Sequence, residues 1–249
     1  MTFNALVLAG SRGGVDPLAD YAGVADKAMI EIAGRTMLAR VVDALRRAGA
    51  ARILVAWSSP TVRDHALSLD VEVIAAAGGP SASAALGLER LGAPLLVTTA
   101  DHALLEPEWI AAFLGAVPPQ ADVAVLLARR DVVEAAVPET RRTYLRFSDG
   151  GWSGCNLFWL ATPRAVGAIA LWRQVEDDRK RPWRIVRRLG PLLLFRYLAG
   201  RLSLASALAH IGALAGVRAA MVPSAFGLAA VDVDKPADLD LVRRLVARR

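Results

Sequence analysis

Three short stretches carry residue types suited to phosphate chemistry. The first is Leu8-Ala9-Gly10-Ser11-Arg12-Gly13-Gly14-Val15-Asp16-Pro17-Leu18, followed by Lys27. Glycines let backbone N–H groups approach phosphate oxygens closely, and Arg12 and Lys27 add fixed positive charge. The loop is neither of the two commonest phosphate signatures. A G-x-x-x-x-G-K-[ST] loop needs a lysine directly after its second glycine, and G-x-G-x-x-G needs a glycine where Arg12 stands. The second stretch is Thr98-Thr99-Ala100-Asp101-His102. Asp101 is the hard oxygen ligand that Mg²⁺ takes alongside water and phosphate, and His102 is the weaker ligand candidate of the two. The third is Val231-Asp232-Val233-Asp234-Lys235-Pro236-Ala237-Asp238. If these residues end a strand, their two carboxylates point to opposite faces, so one faces the site and the other caps the helix opened by Pro236.

The elements around these stretches alternate in type. Phe3–Ala9 is a continuous apolar run that suits a strand buried on both faces of a parallel sheet. Further strands are expected at 52–57, 71–75, 94–99 and 122–128, and helices at 36–47, 60–69, 81–91 and 107–116. This rhythm predicts a parallel sheet with helices on both faces, whose ligand site lies at the carboxyl ends of the strands. After residue 130 the rhythm changes: two strands at 143–147 and 152–160 flank Asp149-Gly150-Gly151, and a helix runs from Pro163 to about Glu176. Apolar helices follow at 191–197 and 203–215, then strands at 217–222 and 229–233 and a closing helix at 236–247. The chain is therefore expected to be one domain over 1–249: a first half (1–130), a second half with a helical insertion (131–216) and a closing strand and helix (217–249).

Composition narrows the class. Of 249 residues, 55% are hydrophobic and 22% charged, which describes a globular chain rather than a disordered one. Cys155 is the sole cysteine, so an intrachain disulfide and an all-cysteine zinc site are excluded. The first residues lack a basic stretch before an apolar run, so no signal peptide is expected. Mean hydropathy is +0.38. The longest stretch free of acidic and basic side chains among the apolar helices, 202–217, is nonetheless short of the roughly 20 residues a span requires. The expected location is cytoplasmic.

The net charge of +6 is local. Between Arg173 and Arg201 nine basic residues face three acidic ones, and the remainder of the chain is neutral. Such a segment points to an anionic ligand or surface. Nucleic acid is not expected, because no helix-turn-helix, zinc-finger or aromatic RNA-binding pattern accompanies it. Trp172 and Trp183 are read as packing. The leucines of the two apolar helices are expected mainly to cover the body of the fold; beside basic residues they also suit peripheral contact with an anionic membrane.

Taken together, the motifs resemble the MobA-like nucleotidyltransferases of the GT-A-like superfamily. The shared features are Leu8-Ala9-Gly10, Lys27 ahead of Gly34-Arg35-Thr36-Met37-Leu38, Asp101 after the fourth strand, and Asp232 to Asp238. Gly78-Gly79-Pro80-Ser81-Ala82-Ser83 matches the loop that in this family contacts the base. The resemblance covers residues 3–130 and 217–247. It departs at Gly10-Ser11-Arg12-Gly13-Gly14, where the family's arginine normally comes a little later.

The resemblance implies a three-layer α/β/α, mostly parallel, GT-A/Rossmann-like fold and transfer of NMP from an NTP, CTP or GTP, with release of pyrophosphate. Leu8, Ala9, Gly10, Ser11, Gly13, Gly14, Gly79, Ser81 and Ser83 are then the candidate nucleotide contacts. Arg12, Lys27 and Asp101 are the candidate catalytic residues, and Mg²⁺ falls to Asp101 with Asp232 or Asp234. An anionic phosphorylated acceptor falls to Asn156, Lys180, Arg181, Arg184 and Arg188. Two alternatives stay open. A GT-A glycosyltransferase would normally need Asp-x-Asp where this chain has Thr99-Ala100-Asp101. A non-catalytic nucleotide- or membrane-binding relative would be expected to lose the acidic residues and Lys27, all of which are present.

Overall fold

The buried strand β1 (Phe3–Ala9) pairs in parallel with β4 (Ala50–Trp57) on one side and β6 (Leu95–Thr99) on the other. The computed structural model describes residues 2–10, 16–140, 142–178, 181, 183, 184, 187 and 190–248. In chain order the elements are β1; α1 (Pro17–Tyr21); a hairpin of β2 (Glu31–Ile32) and β3 (Arg35–Thr36); α2 (Met37–Arg47); β4; α3 (Pro60–Ser68); β5 (Glu72–Ala75); α4 (Pro80–Leu91); β6; α5 (Pro107–Ala116); β7 (Val123–Arg129); and α6 (Arg130–Ala136). Then come β8 (Leu145–Phe147), β9 (Gly150–Leu160), α7 (Val166–Asp177), α8 (Pro191–Leu198), α9 (Leu204–Leu214), β10 (Ala219–Ser224) and α10 (Pro236–Ala247). The strand order is β10-β7-β9-β6-β1-β4-β5, with β8 on the edge of β9.

Alternation along the strands builds the three layers. Phe3, Ala5, Val7 and Ala9 face one core with α2, α3, α5 and α10. Leu6 faces the opposite core with Leu54, Val97, α4 and α7. Helix α4 lies so close to β1 that a Cβ at Gly87 would meet the Leu6 side chain at 2.5 Å. Only a residue without a side chain permits that approach.

The sheet is mixed because β9 runs antiparallel between β6 and β7. Its carboxyl half pairs with the beginnings of β6 and β7, so its amino half, Ser153 to Asn156, lies near their carboxyl ends. This insertion carries residues of the second half into the site formed by the first.

Three expectations change. Residues 229–233 form no strand: a 3-10 turn, Gly227–Ala230, leads into an unpaired segment. Val231 and Val233 are buried there, so their alternation reflects packing. Both edges of the nearby β6 are already occupied, by β1 and β9. Nor do Asp232 or Asp234 cap α10; Asp238 accepts from the backbone N–H groups of Asp234 and Lys235. Finally, α9 buries Leu204 and Ala207 as expected of packing leucines, whereas α8 buries none of its residues.

Candidate active site

Lys27 opens a single 3-10 turn, Lys27–Met29. Its Nζ lies 2.7 Å from Asp101 Oδ2 and 2.5 Å from Asp234 Oδ1. The three residues come from distant parts of the chain and meet because β6 ends beside β1. Ala100 N donates to Leu8 O, and Val233 N donates to Asp101 O, fastening the C-terminal segment onto the same sheet end. Burial alone would lower the Lys27 pKa, but the charges and hydrogen bonds of Asp101 and Asp234 outweigh it, so the ammonium is held above its ordinary value. Burial pushes the Asp101 carboxyl up, against the pull of Lys27 and of the Thr99 hydroxyl.

A second cluster adjoins the first. Asp232 accepts from Arg142 Nη1 and, at 2.8 Å, from Asn156 Nδ2. Burial would raise Asp232, but Arg142 and Asn156 together hold it below the usual carboxylate range. Asn156 stands at φ +50°, in the left-handed region, where the pairing of β9 with β7 is interrupted between Val125 and Leu127. Asparagine tolerates this conformation better than most residues. The irregularity accompanies the turn of its amide toward Asp232. His102 is buried against Trp109, and burial pushes its imidazole down to about 4, leaving it neutral.

Three cavities are lined by residues of these clusters and of the strand ends beside them. The largest, about 680 Å³, lies between Leu8, Gly10, the 76–83 loop and the α7 residues Arg173, Glu176 and Asp177. A small one of about 60 Å³ joins Leu8–Gly10 to Lys27 and Asp101. The third, about 280 Å³, is lined by Arg142, Thr143, Asn156, Asp232, Asp234 and Lys235 among others.

Leu8, Ala9, Gly10, Gly79, Ser81 and Ser83 therefore share a cavity system with Lys27 and Asp101. The two serine hydroxyls are engaged in the scaffold. Ser83 Oγ accepts from Ala77 N and donates to Gly79 O, and Ser81 Oγ donates to Glu176. Asp232 and Asp234 both reach the site, through Asn156 and Lys27 respectively, contrary to the expectation that one would turn away. Ser11, Arg12, Gly13, Gly14, Lys180 and Arg188 lie outside the described residues.

Two of the expected acceptor arginines are among the described residues. Arg181 and Arg184 do not line the Asn156 cavity. Arg184 instead pairs with Asp178, and the Arg184 and Arg187 guanidiniums lie over the ring of Trp183, which is 57% exposed rather than packed. Trp172 does pack, stacked on Phe158. Among the described residues the cations that do line the Asn156 cavity are Arg142 and Lys235. Lys235 stands inside the Asp232–Asp238 motif, between the residues read as ligands; Arg142 stands in no motif, and its pairing with Asp232 spans 90 residues, so no local pattern announces it.

The donor set suits Mg²⁺. That ion takes one or two carboxylates and completes its shell with water and substrate phosphate. Asp101 and Asp232 supply hard oxygens whose charges already influence one another. Among the described residues no group of three or more His, Cys, Asp and Glu side chains could hold a metal by itself.

Comparison with known proteins gives a consistent fold. Residues 5–201 match the family model of the MobA-like NTP transferase domain. No curated protein matches the chain. A solved structure described as a hypothetical transferase from Thermus thermophilus is 31% identical, with a TM-score of 0.82, over 96% of this chain and 100% of that one. The 2-C-methyl-D-erythritol 4-phosphate cytidylyltransferase of Thermus thermophilus is 20% identical, with a TM-score of 0.55, over 99% and 100%. A CMP:2-keto-3-deoxy-manno-octonic acid synthetase complexed with CTP is 17% identical, with a TM-score of 0.58, over 98% and 99%. At these last two identities the likeness is one of fold.

Proposed function

Because this chain belongs to the MobA-like NTP transferase domain family and is a nucleotidyltransferase, we propose that it transfers NMP from CTP or GTP to a phosphorylated small-molecule acceptor. The observation that carries the reading is Lys27, bridging Asp101 in the wall of the small cavity and Asp234 in the wall of the third. A phosphate oxygen of the acceptor attacks the α-phosphorus, the bond to the bridging oxygen breaks, and its electron pair leaves with pyrophosphate. Such a reaction needs positioning and charge neutralisation more than covalent help.

Each group then has a task. The Gly10–Gly14 segment with Arg12 holds the triphosphate through N–H groups and the guanidinium. Lys27, kept protonated by its two carboxylates, offsets the charge developing on the leaving pyrophosphate. Asp101 and Asp232 would hold Mg²⁺, which supplies further neutralisation of the phosphates when bound. Arg142 and Asn156 orient Asp232. Arg142 and Lys235, which line the third cavity beside Asp232, Asp234 and Asp238, are the cations that would meet an anionic acceptor there. Two structural neighbours named for cytidylyl chemistry or a CTP complex support CTP as the donor.

An NTP donor puts the reaction in the cytoplasm. Among the described residues no helix is long and apolar enough to cross a membrane. The exposed α8 beside the basic segment supports peripheral contact with anionic lipid. The decisive assay is pyrophosphate release by the purified protein with Mg²⁺ and each of the four NTPs, against a panel of phosphorylated alcohols and sugars. Release is expected with CTP or GTP and only when an acceptor is present. Silence across the panel, with consumption of a nucleotide sugar instead, would overturn the reading.

A further inference from the structure

The largest cavity has a wall that the phosphate-binding half does not provide. Helix α7, from the second half, presents Arg173, Glu176 and Asp177 to residues 76–83, the loop before α4 and its first turn. Glu176 is fixed there. Its Oε2 accepts from Ser81 Oγ at 2.6 Å and from Ser81 N at 3.4 Å. Its Oε1 lies against Gly79, where a Cβ would come within 2.5 Å of it, so a side chain at 79 would displace the carboxylate. Oε1 makes no hydrogen bond among the described residues. A carboxylate is thus held rigidly in the cavity, with one oxygen spent on the scaffold and one available.

We infer that Glu176 is a specificity-determining residue whose Oε1 accepts a hydrogen bond from the exocyclic amine of cytosine, making CTP the donor nucleotide. This rests on the reading that the 680 Å³ cavity takes the nucleobase. An ionised carboxylate only accepts hydrogen bonds. Cytosine offers an amine at its 4-position, whereas uracil offers a carbonyl oxygen there and meets repulsion. Guanine presents two adjacent donors, N1–H and the 2-amine, and pairs best with a carboxylate offering both oxygens. Here Ser81 has taken one of them.

The test measures dissociation constants of the four NTPs with Mg²⁺ for the wild type, Glu176→Gln and Glu176→Ala, by calorimetry, with thermal melts to confirm folding. Glutamine keeps an oxygen for Ser81 but can turn its NH₂ toward a carbonyl. The wild type should bind CTP most tightly. The CTP-over-UTP preference should fall by roughly 10- to 100-fold in both variants, the range expected for a hydrogen bond to a charged group, with UTP gaining affinity in Glu176→Gln. A merely structural tie between α7 and α4 would weaken all four nucleotides together and leave their ratios unchanged, which would overturn the inference. So would tightest binding of GTP or ATP by the wild type. Failure of every NTP to bind would instead remove the nucleotide site, and this inference with it.

Discussion

Lys27 draws together two carboxylates from distant parts of the chain, Asp101 after β6 and Asp234 before α10, and all three side chains line cavities of the site. Removing its ammonium leaves those carboxylates facing one another and, on the proposed mechanism, the departing pyrophosphate uncompensated. Lys27→Ala is therefore expected to lower the rate of pyrophosphate release by roughly 10²–10³, the usual cost of losing one electrostatic donor. The variant should still unfold cooperatively, at a lower temperature than wild type because Asp101 loses its partner; a kcat within threefold of wild type would remove Lys27 from the chemistry. Residue type and motif context make Lys27 and Asp101 legible in the sequence alone. Arg142 is not legible there, because its meaning comes from Asp232 and Asn156, which reach it only through the fold.

Among the elements, β9 determines what the second half contributes. Running antiparallel between β6 and β7, it delivers Asn156 to the cleft, and the junction that anchors it is held by Asp122. Asp122 accepts from Arg218 N at 2.9 Å, from Arg218 Nε and from the Thr162 hydroxyl, tying the starts of β7 and β10 to the end of β9. The Arg218 backbone hydrogen bond, then the Thr162 hydroxyl, hold its carboxyl below the ordinary value. A carboxyl depressed in the folded state contributes stability that is present above its unfolded pKa, near 3.9, and is lost as pH falls through the folded value. Asp122→Asn should accordingly be less stable than wild type at pH 7. The gap in urea unfolding midpoint should narrow below about pH 4; a gap independent of pH would show that the charge of Asp122 does not matter. Most helices and strands are legible from apolar spacing and caps, as with α5 and α10. The turn at 227–234 is not, because Val-Asp-Val-Asp alternates identically whether the valines pair in a sheet or merely pack.

At the scale of the whole molecule, the excess charge and the exposed apolar surface share one region. Leu192, Phe195 and Leu198 of α8 are 70%, 65% and 73% exposed, and Trp183 lies beside them in sequence beneath two guanidiniums. Apolar side chains flanked by arginines suit the boundary of an anionic bilayer. The protein should co-sediment with vesicles containing phosphatidylglycerol but not with pure phosphatidylcholine, and should be released by high salt. Phe195→Ser should weaken this binding by roughly tenfold or more, in line with the burial of one aromatic side chain. Equal binding to both vesicles, or none to either, would leave α8 without a role at lipid.

The chain's order of apolar runs, glycines and acids was enough to specify the layered sheet, the family and the residues poised at its strand ends, because those signals are local in sequence. What only the folded molecule decided is which charges meet. The pairs Lys27–Asp234, Arg142–Asp232 and Ser81–Glu176 each join residues 90 or more positions apart, and contacts at that separation are set by how strands order in the sheet. The composition of the segments that supply them cannot reveal it.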